Sequence, residues 1–185
     1  MYLEAIPRYS CCSTEFDLEV NEKECLGVVR PSGFWLTEMD LELDLDQGTT
    51  RYRFGREGWF TQSFVLYQEV LVVNNGSTKT SSSKYTKRVG AANSTGVFTT
   101  SWELQLPASQ RHMTLEYEGI FTTDMILVDH GQVMANVCER GSCCRGQGWT
   151  VGSQELGLVD MVFVGLVFDR IMARRRDNHG AIAAI

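Results

Sequence analysis

Within residues 36–45 the chain alternates strictly between polar and apolar positions from Glu38 onward. Met39, Leu41, Leu43 and Leu45 share one parity, and Glu38, Asp40, Glu42 and Asp44 share the other. A period of two predicts a half-buried strand whose second side is acidic and solvated. Carboxylates spaced evenly along one extended strand do not converge on a point, so the row predicts a solvated face and not a cation cage. Further strand-like segments rich in Val, Phe, Tyr, Trp and Thr follow at 50–54, 60–67, 69–73, 84–89, 97–106, 112–117, 125–129, 132–138 and 148–151. Gly, Asn, Ser or Pro occupies the breaks between them. Asp129-His130-Gly131 predicts a tight turn closing a hairpin. Residues 74–83 hold no large apolar side chain and predict a mobile loop at a hairpin tip. Many short strands at regular spacing predict an antiparallel sandwich or barrel.

The pattern changes after Gln154. Residues 156–173 are almost continuously apolar, over a length that suits a helix and not a strand. The spacing predicts a helix at about 156–175 and a tail over 177–185. Asp160 and Asp169 interrupt the run, leaving only 161–168 without a charge. A membrane span needs about 20 apolar residues, so this helix is expected not to cross one. A helix apolar on nearly every side that avoids lipid must be covered by protein on every side. Gly157 and Gly165 are expected to admit neighbouring backbone closely, each costing about 1 kcal/mol in helix propensity. Asp160 suits the positive end of the helix dipole, and Arg174, Arg175 and Arg176 suit the negative end. Asp169 and Arg170 are expected as a buried, mutually satisfied pair at the end of the core.

Composition narrows the class. The chain has 185 residues, of which 43% are hydrophobic and 22% charged, which fits one globular domain over 1–176. Such a domain buries about 70% of its unfolded surface and needs no disulfide or metal to fold. A net charge of -6 argues against a whole-protein grip on nucleic acid and leaves room for a local basic patch. The N-terminal residues carry Glu4 and no sustained apolar run, so a cytoplasmic location is expected. Six cysteines include the adjacent pairs Cys11-Cys12 and Cys143-Cys144, with Cys25 and Cys138 apart. Free thiols, disulfides or a metal cluster, and S-acylation are all open to the pairs. No nucleophile elbow, phosphate loop or zinc-protease motif occurs, so no catalytic residue, metal or cofactor is assigned. His130 beside Asp129 could be drawn with Cys138 or Cys144 as a thiol enzyme, but the turn accounts for it better. Trp35, Trp59, Trp102 and Trp149 are expected to pack in the core.

Several stretches carry a family resemblance. Gly58-Trp-Phe-Thr-Gln-Ser-Phe-Val-Leu-Tyr and Gly119-Ile-Phe-Thr-Thr-Asp-Met-Ile-Leu-Val-Asp are similar to each other, as if one unit recurs. His130-Gly-Gln-Val-Met-Ala-Asn-Val, and Arg145-Gly-Gln-Gly-Trp-Thr-Val followed by the apolar run, complete the set. Together, over about 25–176, they resemble the tubby C-terminal superfamily, which includes the LURP-one-related proteins and the phospholipid scramblases. The resemblance implies a mainly β fold: a closed antiparallel barrel of about a dozen strands around a central hydrophobic C-terminal helix. It also implies binding and not catalysis, with basic side chains on the barrel recognising anionic phospholipid headgroups, phosphoinositides among them, peripherally at a membrane surface. The nearest candidates are Lys79, Lys84, Lys87 and Arg88, with help from 174–176; as ordinary residues they would form a solubilising loop. The calcium-binding segment of scramblases is not recognisable, which speaks against lipid scrambling. The alternative function is a structural or assembly protein docking on a protein partner through a sheet face.

Overall fold

The computed structural model describes residues 1–9, 14–32, 38–57, 63–70, 84–95, 101–119, 122–141 and 147–182. Alternation is the rule that builds it. Along β4 (Glu38–Leu45), Met39, Leu41 and Leu43 are buried while the carboxylates between them face outward. The other strands are β1 (Tyr2–Tyr9), β2 (Thr14–Val20), β3 (Glu24–Ser32), β5 (Gly48–Glu57), β6 (Ser63–Val70), β7 (Lys84–Ser94), β8 (Ser101–Gln105), β9 (His112–Tyr117), β10 (Met125–Asp129), β11 (Gln132–Gly141) and β12 (Gln147–Ser153), and the same period is clean in β2, β8 and β9. Every strand pairs antiparallel with its sequence neighbours, and β1 returns to pair with β12. The seam sets Leu3 opposite Val151 and Ala5 opposite Trp149. It is extended by the N-terminal amine, which donates to the Ser153 carbonyl at 2.6 Å. Closure leaves no row of unpaired backbone groups along the sheet.

One helix, α1 (Leu158–Ile182), fills the barrel. Every residue from 160 to 168 is buried. Phe163 meets the Phe54 ring of β5 edge-on at 6.1 Å, and it is also the neighbour of Gly90 on β7. On the other side, a Cβ at Gly165 would stand 2.0 Å from the Trp149 ring of β12. A helix touching β5, β7 and β12 at once is wrapped by the sheet, as the all-round apolar pattern requires. Gly165 is what lets the indole lie against the helix backbone. Gly157 has no such role, because nothing lies within 4 Å of its added Cβ.

The sequence expectations hold for the fold class and for many elements. Segments 112–117 and 125–129 are β9 and β10 as predicted, and the turn between β10 and β11 has His130 at φ 48° and Gly131 at φ 84°. Two successive left-handed residues make the hairpin turn that matches strand twist. Trp102 and Trp149 are core residues; Trp35, Trp59 and the stretch 74–83 lie outside the described residues.

Other expectations need correction. β1, β2 and the start of β3 are strands, although the family resemblance begins only near residue 25. Segments 60–67 and 69–73 are not two strands: β6 runs unbroken through Gln68, with shifts in its register against β7. Bulges there change which parity faces inward, and that mimics a break. The helix does not stop at 175, and residues 177–182 belong to it and not to a tail. Arg174–Arg176 therefore stand well before its C-terminal end, and the dipole argument does not apply to them.

Replacing Gly165 with Ala should drive a methyl into Trp149 and lower stability by about 1–3 kcal/mol. For a chain of this size that is a fall of roughly 2–12 °C in Tm. Gly157→Ala should stay within about 1 kcal/mol of the parent. Urea or thermal unfolding of the two variants side by side checks the contrast.

Candidate functional site

The outer wall is a lattice of ion pairs. Arg30 of β3 and Arg51 of β5 both bind Glu42 of β4, at 3.0 and 2.9 Å. Arg53 binds Asp40 at 2.8 Å, and the Thr49 hydroxyl donates to Asp44 at 2.7 Å. The Arg30 hydrogen bond is the main cause holding the Glu42 carboxyl below its ordinary value, partly offset by burial. The acidic row of β4 is thus a solvated face clasped by arginines. Among the described residues no group of three or more His, Cys, Asp or Glu could hold a metal ion.

The predicted basic cluster is divided by the structure. Lys84, Lys87 and Arg88 belong to β7 and not to a loop. Lys79 lies outside the described residues. Lys84 pairs through its backbone with Val70, and Lys87 with Gln68, so these positions lie at the end of the β6–β7 hairpin where the two strands are joined. Lys87 and Arg88 are exposed. Arg88 reaches Glu57 at 3.3 Å, whereas no ion pair engages Lys87 among the described residues. Val70, opposite Lys84, is one of the few exposed large apolar side chains.

Charge also gathers along the helix axis. Where α1 enters, the buried Asp160 carboxylate accepts from the backbone N–H groups of Ala108 at 2.7 Å and Ser109 at 3.2 Å, in the first helical turn. Both the donors and the positive helix end favour a negative charge there. Where α1 leaves, the Arg175 guanidinium lies 5.5 Å from the centre of the Tyr117 ring, and Arg176 pairs with Glu139 of β11. Asp169 and Arg170 are half-buried between these two anchors. Burial pushes the Asp169 carboxyl up; Arg170 and Arg176 oppose the shift, and Glu139 adds to it. Burial pulls the Arg170 guanidinium down, against the attraction of Asp169. The pair is not mutually satisfied as expected: no ion pair within 4 Å joins them, and Arg170 Nε is buried without a hydrogen-bond partner. Adjacent helical residues point about 100° apart, which keeps the two heads from meeting.

A thiol enzyme finds little support in this arrangement. His130 is 98% exposed at its turn, with Nε2 3.6 Å from Asp129, whose other oxygen is taken by Arg111. Cys138 lies eight residues further along β11, about 26 Å away at strand spacing. Burial pushes the Cys138 thiol up, and the carboxylates of Asp124 and Glu118 add to the shift, so it is a weak nucleophile. Cys25 and Cys138 are free thiols; Cys11, Cys12, Cys143 and Cys144 lie outside the described residues.

Sequence reasoning missed the buried Glu4, which pairs with Arg140 across the β1–β12–β11 seam. The only signal was Leu3 and Ala5 flanking it with strand alternation. It also missed the open groove of about 500 Å³ where β11 runs past the end of β12, lined by Met1, Gln132, Val133 and Glu155.

Because the folded Asp169 carboxyl titrates above its unfolded counterpart, the native state holds its proton to higher pH. Stability from this group is therefore full below the ordinary carboxylate range and is lost as pH rises through the raised value. Asp169→Asn should gain on the parent progressively as pH rises above about 4. Denaturant midpoints of both proteins from pH 4 to 8 check this, and a gap that does not widen contradicts it.

No helix among the described residues is long and apolar enough to cross a membrane. Compared with protein-family models, curated proteins and solved structures, this chain matches none.

Proposed function

We propose that this protein is a non-enzymatic binding module that recognises anionic phospholipid headgroups at a membrane surface through the β6–β7 hairpin. The observation that carries the reading is the state of its outer cations. Arg30, Arg51, Arg53 and Arg111 are consumed by carboxylates of the wall, while Lys87 stands exposed with no ion pair among the described residues, in a chain of net charge -6. Lys84 precedes it on the same strand. An uncompensated cation keeps its attraction for phosphate, which is worth about 1 kcal/mol per Lys or Arg near an anionic surface. Val70 offers an apolar contact across the hairpin from Lys84. The resemblance to tubby-type domains supports the same reading, including a peripheral, cytoplasmic site of action. Docking on a protein through a sheet face is less favoured, because Met1, Val70 and Val133 are the large apolar side chains exposed among the described residues, and they do not form one row.

The test is co-sedimentation with phosphatidylcholine vesicles, with and without phosphatidylinositol 4,5-bisphosphate. The protein is expected in the pellet only with the phosphoinositide, and less so as salt rises. Reversing two charges, Lys84→Glu with Lys87→Glu, should weaken binding at least about ten-fold. Equal recovery with both vesicle types rejects the reading.

A further inference from the structure

A second, separate cationic feature lies on α1. Arg170, Phe163 and Val167 stand at helical spacings that put them on one stripe, with Arg174 one turn beyond. Phe163 anchors that stripe against Phe54 and Gly90, on the side of the barrel away from the Trp149–Gly165 contact. Arg175 and Arg176 tie the exit of the helix to β9 and β11, so they fix the heights of Arg170 and Arg174. Asp160 marks the entry, and ten residues at 1.5 Å each put Arg170 about 15 Å further along the axis. Here the guanidinium of Arg170 is half-buried, and its Nε is buried without a hydrogen-bond partner. No ion pair within 4 Å relieves it among the described residues. The Arg174 side chain is exposed, and no ion pair engages it there either.

Native structures rarely leave a buried charged donor unused, since desolvation without a partner costs more than a hydrogen bond returns. Two guanidiniums one turn apart, one half-buried and one exposed, form a graded fork open to solvent at one end. Its planar donors match the paired oxygens of a phosphoryl group. We propose that Arg170 and Arg174 form a second anion site, at the end of the barrel where α1 leaves, which takes a phosphate monoester or inorganic phosphate. Asp169 attracts Arg170 through space but makes no ion pair within 4 Å with it, so that carboxylate leaves Arg170 Nε without a partner. The site lies at the opposite end of the barrel from the β6–β7 hairpin, so it stands or falls independently of headgroup binding there.

The experiment is titration of the full chain with inorganic phosphate, read by thermal shift and by calorimetry. A parallel arm uses phosphatidylcholine vesicles with and without phosphatidic acid. Phosphate should raise the Tm saturably. Arg170→Gln should weaken binding about ten-fold or more, and Arg174→Gln several-fold. Arg170→Lys, which keeps the charge and loses the fork, should recover only part of the affinity. Arg174→Gln changes an exposed residue and keeps the test valid if Arg170→Gln folds poorly. Arg111→Gln, at the other end of the barrel, should bind phosphate as the parent does. Binding to phosphatidic acid vesicles alone, still lost in Arg170→Gln and Arg174→Gln, identifies a lipid phosphate as the source. Absence of binding in both arms, or binding that ignores both substitutions, overturns the proposal.

Discussion

The structure depends on a mismatch of widths. Eight strands close into a barrel that their own side chains can fill, but twelve enclose a wider space. Inward residues alone would leave that space empty, and protein interiors do not tolerate voids. A helix about 10–12 Å across with its side chains fits it. The converse holds for α1: seven consecutive side chains of 161–168, apart from Gly165, are at most 1% exposed. Each is worth about 1.5–3 kcal/mol when removed from water, and each would be a liability without the wall. Sheet and helix therefore need each other, and the seam between β1 and β12 completes the enclosure. Trp149 sits at that seam, opposite Ala5 and against Gly165, so closure and helix docking meet at one indole.

With the apolar material inside, little is left outside for recognition except charge. Most of the wall's arginines are already spent in cross-strand pairs, and such exposed pairs contribute modestly to stability. Among the described cations outside that lattice, the two proposed contacts are Lys87 on the β6–β7 hairpin and Arg170 with Arg174 at the helix exit. Both are cations in an acidic protein, and both favour anionic ligands. They lie at opposite ends of one rigid barrel, which allows two contacts without a hinge.

How much of this was legible beforehand follows from how local each signal is. β4, β9 and β10 have clean alternation bounded by turn residues, and the 161–168 run can only be a buried helix once a membrane is excluded. β1 and β3 were hidden because Pro7 and Pro31 sit inside them, where a proline usually marks an edge or a break. Their register against Phe16 and Met39 is set by partners distant in sequence. The helix end at Ile182 was obscured by the polar turn 174–179, which is anchored by Tyr117, Thr122 and Glu139 from other elements. The cations of β7 were legible as a cluster, but only the fold separates Arg88, paired with Glu57, from Lys87, which no ion pair engages among the described residues. The isolation of Arg170 depends on directions around the helix and on what the wall does not supply, and no local pattern encodes that.

Native-state hydrogen exchange of the backbone amides over 161–168 tests the enclosure of α1 by the barrel most directly. If the sheet wraps the helix, those amides exchange only when the whole domain unfolds, with the same free energy as the amides of β1 and β12 at the seam. Exchange of the helix amides well below that free energy, while the strands stay protected, would mean that α1 opens on its own and that the barrel does not depend on it.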